Sequence, residues 1–170
     1  MLELTRPNEG EAFAPSIPPQ EYVRIVAGIN IGAIGLTSCQ CQLHNRMALV
    51  NRADEIRPVL DMHAVCQSFE QDASWVMVAV QHFTVRFFWN EDVVMLLSCG
   101  FQVDYVSPEE FTQEFFDVYG SLALPTHTIP YAREMFQSLT SRMNVPVFVL
   151  PLFRPDDVLE ESQMMATSVE

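Results

Sequence analysis

The stretch from Trp75 to Tyr105 reads WVMVAVQHFTVRFFW (75–89), NED (90–92) and VVMLLSCGFQVDY (93–105), and it decides the fold class. Two runs rich in β-branched and aromatic residues flank a short polar break, the pattern of a long β-hairpin. One face of the first arm carries Trp75, Met77, Ala79, Gln81, Phe83, Val85, Phe87 and Trp89, and the other carries Val76, Val78, Val80, His82, Thr84, Arg86 and Phe88. Both faces are largely apolar. A sheet covered on one side alone should alternate more cleanly, so the second face is expected to meet further chain, another subunit or a ligand.

Upstream, Val23, Ile25, Ala27, Ile29, Ile31 and Ala33 alternate with Arg24, Gly28, Asn30 and Gly32, which predicts a long strand within 20–43. Residues 44–73 mix Arg46, Asn51, Arg52, Asp54, Glu55 and Arg57 with Met47, Leu49, Val50 and Ile56, and Pro58 interrupts the run. The expectation there is a loop with short regular pieces. Residues 1–20 hold Pro7, Pro15, Pro18 and Pro19 among polar residues and are expected to form a disordered arm.

Downstream, Ser107-Pro108-Glu109-Glu110 has the form of a helix start, with a capping residue, Pro at the first helical position and acids in the first turn. That helix is expected to stop at Gly120. A second helix follows in 128–143, where Ile129, Ala132, Phe136, Leu139 and Met143 form an apolar stripe. Val147 to Leu150, between Pro146 and Pro151, predicts a short edge strand. Residues 154–170 hold five acids and read as a solvated tail, leaving one domain over 21–153.

The 170-residue chain carries a formal charge of −13 and contains no Lys, all nine basic residues being Arg. Schiff-base and phosphate-loop lysine chemistry is therefore excluded. An acidic surface also repels nucleic-acid backbones and anionic lipid, so neither nucleic acid nor membrane insertion is expected. No export signal is legible, which predicts a cytoplasmic protein with reduced cysteines at Cys39, Cys41, Cys66 and Cys99. Cys39-x-Cys41-x-x-His44 offers zinc-type ligands but not a set of four, so no metal is expected. His44, His63, His82 and His127 form no local signature with a cysteine nucleophile, and the expectation is a non-enzyme without cofactor.

From Ile129 the chain reads Ile129-Pro130-Tyr131-Ala132-Arg133-Glu134, then Ser138-Leu139-Thr140-Ser141-Arg142, then Val145-Pro146-Val147-Phe148-Val149-Leu150-Pro151-Leu152-Phe153. With the preceding hairpin, this resembles the SecB protein-export chaperone family over roughly residues 75–153: a Pro-Tyr-Ala-Arg-Glu helix, a Ser-Arg at its end, and a Leu-x-Pro segment. The residues carrying the motif are Pro130, Tyr131, Ala132, Arg133, Glu134, Ser141, Arg142, Pro146, Leu150 and Pro151. The resemblance implies an α+β subunit with a four-stranded antiparallel sheet and helices packed on one side. It further implies a homotetramer built as a dimer of dimers, and an ATP-independent holdase that binds unfolded, export-bound polypeptide in hydrophobic grooves and passes it to SecA.

Two departures bear on SecA. The family's acidic Asp-x-Ser-Phe-Glu-x-Pro stretch is replaced by Ile29-Asn30-Ile31-Gly32-Ala33-Ile34-Gly35, and Met95-Leu96-Leu97-Ser98-Cys99 lacks the family's glutamate. A SecB-like chaperone or adaptor dedicated to a single partner, of toxin–antitoxin or viral type, is the alternative. The client or oligomer surface is expected to include Phe87, Trp89, Tyr131, Phe136, Leu139 and Met143, with nine methionines in the chain as adaptable apolar contacts.

Overall fold

The computed structural model describes residues 2–4 and 17–151. The elements run β1 (Leu2–Leu4), α1 (Pro19–Gly28), β2 (Asn30–Leu43), α2 (Arg46–Asn51), a 3-10 turn (Ala53–Glu55), β3 (Arg57–Gln71), β4 (Ser74–Trp89), β5 (Asp92–Ser107) and α3 (Gln113–Arg142). The strands form one sheet in the order β1-β3-β4-β5-β2, with every neighbouring pair antiparallel. The four-stranded antiparallel sheet expected from the sequence is present, and the three-residue β1 adds a fifth strand at its edge.

The hairpin β4–β5 is as the sequence implies, with Asn90 taking the left-handed turn position at φ 54°. A second hairpin precedes it. Arg57–Gln71 was expected to be mostly loop but pairs with β4 over its whole length, and Asp72 and Ala73 both take positive φ in the two-residue turn between them. Pro58 is tolerated because it lies one residue into a strand whose outer edge has no partner there.

The predicted strand from residue 20 is corrected as well. Residues 19–28 are helical, and their β-branched alternation is coincident with a helical face on which Ile25 is buried and Tyr22 packs on Phe115. Pro19 begins that helix, where a missing N–H costs nothing. Of the expected N-terminal arm, 2–4 is strand, 17–18 leads into the helix with Ile17 buried, and 19–20 is helix, while residues 1 and 5–16 lie outside the described residues, as does the 154–170 tail.

The two expected C-terminal helices are a single 30-residue helix that runs through Gly120, Pro125 and Pro130. It starts five residues later than the Ser107-Pro108 signal, because Ser107 Oγ accepts from Glu109 N in a turn and Thr112 caps the helix by accepting from Phe115 N. An interior proline costs about 3 kcal/mol. Burial of Leu124, Ile129, Ala132 and Phe136 against the sheet offsets it, a large side chain being worth about 1.5–3 kcal/mol. Val147–Leu150 is not a strand. It doubles back along the helix end, with Phe148 N donating to Thr140 Oγ1 and its ring edge-on to Phe87.

The core lies between the sheet and the helices in two clusters. One gathers Phe83, Val85, Phe87, Met95, Leu97 and Phe101 under Ile129, Ala132 and Phe136, with Leu49 of α2 and Leu150 closing it. The other gathers Met77, Ala79, Val103 and Tyr105 under Phe115, Phe116, Tyr119 and Leu124, with Ile25 of α1. All three helices thus pack on the sheet face that carries Met77, Phe83 and Phe87.

Candidate polypeptide-binding surface

Because the helices occupy one face, the alternate residues of β3, β4 and β5 face outward. Register places Phe69, Val76 and Val106 in one cross-strand row, Val65 and Val80 with Gln102 in another, and His63, His82 and Gly100 in a third. The valines of these rows are only half-buried and Phe69 is exposed. This is the second apolar face anticipated from the hairpin, and it has no cover among the described residues. His63 and His82 stack at 4.7 Å between centroids with planes 14° apart. Gly100 makes room beside them, since a Cβ there would stand 2.7 Å from Ser38 Oγ, 2.8 Å from Thr37 Oγ1 and 3.1 Å from His82 Nδ1. Beyond them, Arg86, in register with Val59, pairs diagonally with Asp61, in register with Thr84.

Two shoulders flank α3 on the covered face. Along edge strand β2, Ile31 is 46% exposed, Leu36 48% and Leu43 37%, and Tyr131 of α3, 5.9 Å from Phe101 by ring centroids, is 47% exposed. Opposite β5 this strip also holds Cys39 facing Cys99, and Cys41, whose Sγ lies 3.0 Å from Met143 Sδ. The outer edge of β2 pairs with no strand among the described residues. Along β3, on the other side of α3, Ile56, Leu60 and Met62 are half-buried against the core, and β1 lies in the cleft between β3 and α3. A half-exposed aliphatic side chain gains about 1 kcal/mol on full burial, so either shoulder rewards an apolar occupant.

The sequence-predicted surface residues divide. Phe87 and Phe136 are 4% and 0% exposed, core residues held by Phe148 and the sheet, and their expected surface placement is corrected. Trp89, Leu139 and Met143 are half-buried at the margin of the same cluster, and Trp89 Nε1 donates to Glu55 Oε2 at 3.0 Å. Tyr131 alone of the six is open. Sequence reasoning missed Ile31, Leu36, Leu60 and Met62; alternation carried the signal for Ile31, whereas Leu36 reaches the same face only through the register shift between Ile31 and Ala33.

The motif residues have legible structural work. Ala132 is fully buried where the helix meets the sheet, Leu150 is 2% exposed, and Arg142 sits in the last helical turn, where a cation suits the helix dipole. Arg133 and Glu134 lie on the outer side of α3, and neither joins an ion pair among the described residues.

Nucleophilic chemistry finds little here. Burial pushes the thiols of Cys66 and Cys99 up to about 12, which leaves them protonated. The Tyr105 hydroxyl and His127 Nδ1 are 2.9 Å apart; burial raises the tyrosine pKa and lowers that of the histidine, keeping both neutral. No group of three or more His, Cys, Asp or Glu side chains with metal-binding geometry occurs among the described residues. No described helix is long and apolar enough to cross a membrane.

No family model and no curated protein matches the sequence. Among solved structures, the fold is similar to the Mycobacterium tuberculosis Rv1957 SecB-like chaperone, solved in complex with a ChAD peptide from the Rv1956 HigA1 antitoxin. The TM-score is 0.62 at 19% identity, covering 79% of this chain and 97% of that one. A protein of unknown function from Streptococcus agalactiae aligns with a TM-score of 0.47 at 12% identity, over 73% of this chain and 97% of that one. The first likeness establishes a SecB-like α+β fold.

Proposed function

We propose that this chain is a non-enzymatic, ATP-independent chaperone that holds extended apolar polypeptide. The observation that carries the reading is the outer edge of β3, which among the described residues has a partner only at Ala64–Cys66, beside the half-buried Ile56, Leu60 and Met62 on the far side of α3 from β2. An edge strand supplies backbone hydrogen bonds to any extended sequence, and adjacent apolar surface supplies affinity without demanding particular side chains. The acidic surface keeps such a complex soluble and disfavours acidic clients.

The second open edge, β2, with Ile31, Leu36 and Tyr131 beside it, suits a subunit contact. Pairing of two β2 strands would continue the sheet across two subunits to give a dimer, and the assembly proposed is a homotetramer that joins two such dimers. A cytoplasmic location fits this role. Transfer of clients to SecA finds less support, given the departures at 29–35 and 95–99.

A second reading is a chaperone dedicated to one partner. It is favoured by the fold's likeness to a chaperone solved with an antitoxin peptide. Mapping hydrogen exchange with a reduced, carboxymethylated protein as client tests the site. Protection gained along 57–66 supports it, and protection confined to other elements rejects it. Comparable affinity for several unrelated unfolded proteins selects the general holdase, and affinity for a single partner selects the dedicated one.

A further inference from the structure

The short β1 strand occupies part of the edge that the proposed function needs. Its three residues pair with Ala64–Cys66, leaving twelve of the fifteen residues of β3 without an outer partner among the described residues. A backbone hydrogen bond contributes about 1 kcal/mol net, so a strand paired over only three residues holds its place weakly. The positions they cover, Ala64 and Cys66, are small and buried at 0% and 2% exposure.

Beside the same positions lies an unmet polar requirement. Gln81 of β4, the cross-strand partner of Ala64, is 3% exposed. Its Nε2 donates to the His63 carbonyl at 3.1 Å, but its Oε1 has no hydrogen-bond partner among the described residues. A buried acceptor left without a donor costs about 1–3 kcal/mol. With β1 in place, this edge keeps both an unpaired strand and an unpaired acceptor.

We infer that β1 is a resident strand that incoming polypeptide displaces, so that the N-terminal segment tunes the affinity of the β3 cleft. The inference rests on the chaperone reading and names its partner chemistry. The displacing segment is extended, pairs with β3 over more residues than β1 does, and bears apolar side chains at alternate positions. A hydrogen-bond donor on it meets the Gln81 carbonyl. The gain in pairing length is what overcomes the tethered competitor, whose effective concentration is on the order of millimolar. A site that is free for only a tenth of the time binds about tenfold more weakly than its intrinsic affinity.

The test compares the wild-type chain, a Glu3→Pro variant and a chain lacking residues 1–4, using fluorescein-labelled, reduced and carboxymethylated lactalbumin in anisotropy titrations. Thermal unfolding confirms that each protein is folded. Binding tighter by about three- to tenfold in both altered proteins is the expected result. Equal affinity for all three, or weaker binding by the altered chains, overturns displacement and leaves the chaperone reading intact. Binding by none overturns both.

Discussion

The imidazole of His63 on β3 lies flat against that of His82 on β4, with centroids 4.7 Å apart, on the sheet face that no described helix covers. Burial first, and the neighbouring His63 second, lower the pKa of His82. Burial alone lowers that of His127. Each histidine therefore takes up a proton more readily when unfolded, so stability is highest above the unfolded value near 6.5 and falls as pH drops through and below it. Urea unfolding at about pH 7.5 and about pH 5.5 should show the loss, and His82→Gln should reduce it. An unchanged pH dependence in that variant would remove His82 from the account.

Phe136 has no exposed surface and Tyr131 is 47% exposed, although both lie in the same helix. Phe136→Ala is expected to cost about 3–5 kcal/mol in denaturant unfolding. Tyr131→Ser is expected to cost under about 1 kcal/mol and to act on subunit mass or client affinity instead.

Ala73 holds φ 59° in the two-residue turn between β3 and β4, beside Asp72 at φ 50°. A left-handed backbone costs a residue with a Cβ about 1–2 kcal/mol, and Asp-Gly is the pair favoured in such a turn. Ala73→Gly should therefore raise stability by about 1 kcal/mol and the melting temperature by about 2–4 °C. A lowered melting temperature would show that the turn is not under this strain.

The Glu55 carboxyl is held below the usual carboxylate range, first by the Trp89 indole N–H and then by Arg52. Trp89→Phe should move its titration upward, as read by NMR. The sign follows from linkage: a depressed carboxylate contributes stability above its unfolded value and loses it as pH falls through the folded one, and the variant forgoes part of that contribution.

The four cysteines are all free among the described residues, with Cys39 exposed, Cys41 half-buried and Cys66 and Cys99 buried. Titration with a thiol reagent should show one fast thiol, a slower one, and two that react only on unfolding. Fast modification of Cys99 would contradict the packing of β5 beneath α3.

The hairpin was legible because 75–89 and 93–105 hold no proline and keep their periodicity. The helix at 19–28 was not, since Val23, Ile25 and Ala27 fit a period of two as well as a helical face, and Pro19, read there with the prolines of the arm, opens the helix. At β3, Pro58 and the charge at Arg57 argued against a strand, yet an edge strand with one face outward accepts both. Gly120, Pro125 and Pro130 hid the continuity of α3, which tertiary burial imposes over local preference. The site was half legible. Apolar residues at Phe87 and Phe136 announce themselves whether buried or open, and sequence carries little to separate the two. The open edges of β2 and β3 depend on strand order, which the sequence does not state.

Suppression of aggregation of several unrelated unfolded proteins at stoichiometric ratios without ATP, with oligomer mass recorded by light scattering, tests the central claim most directly. Protection of these clients by a tetramer is the predicted result. A folded protein that protects none of them and binds no polypeptide would contradict it.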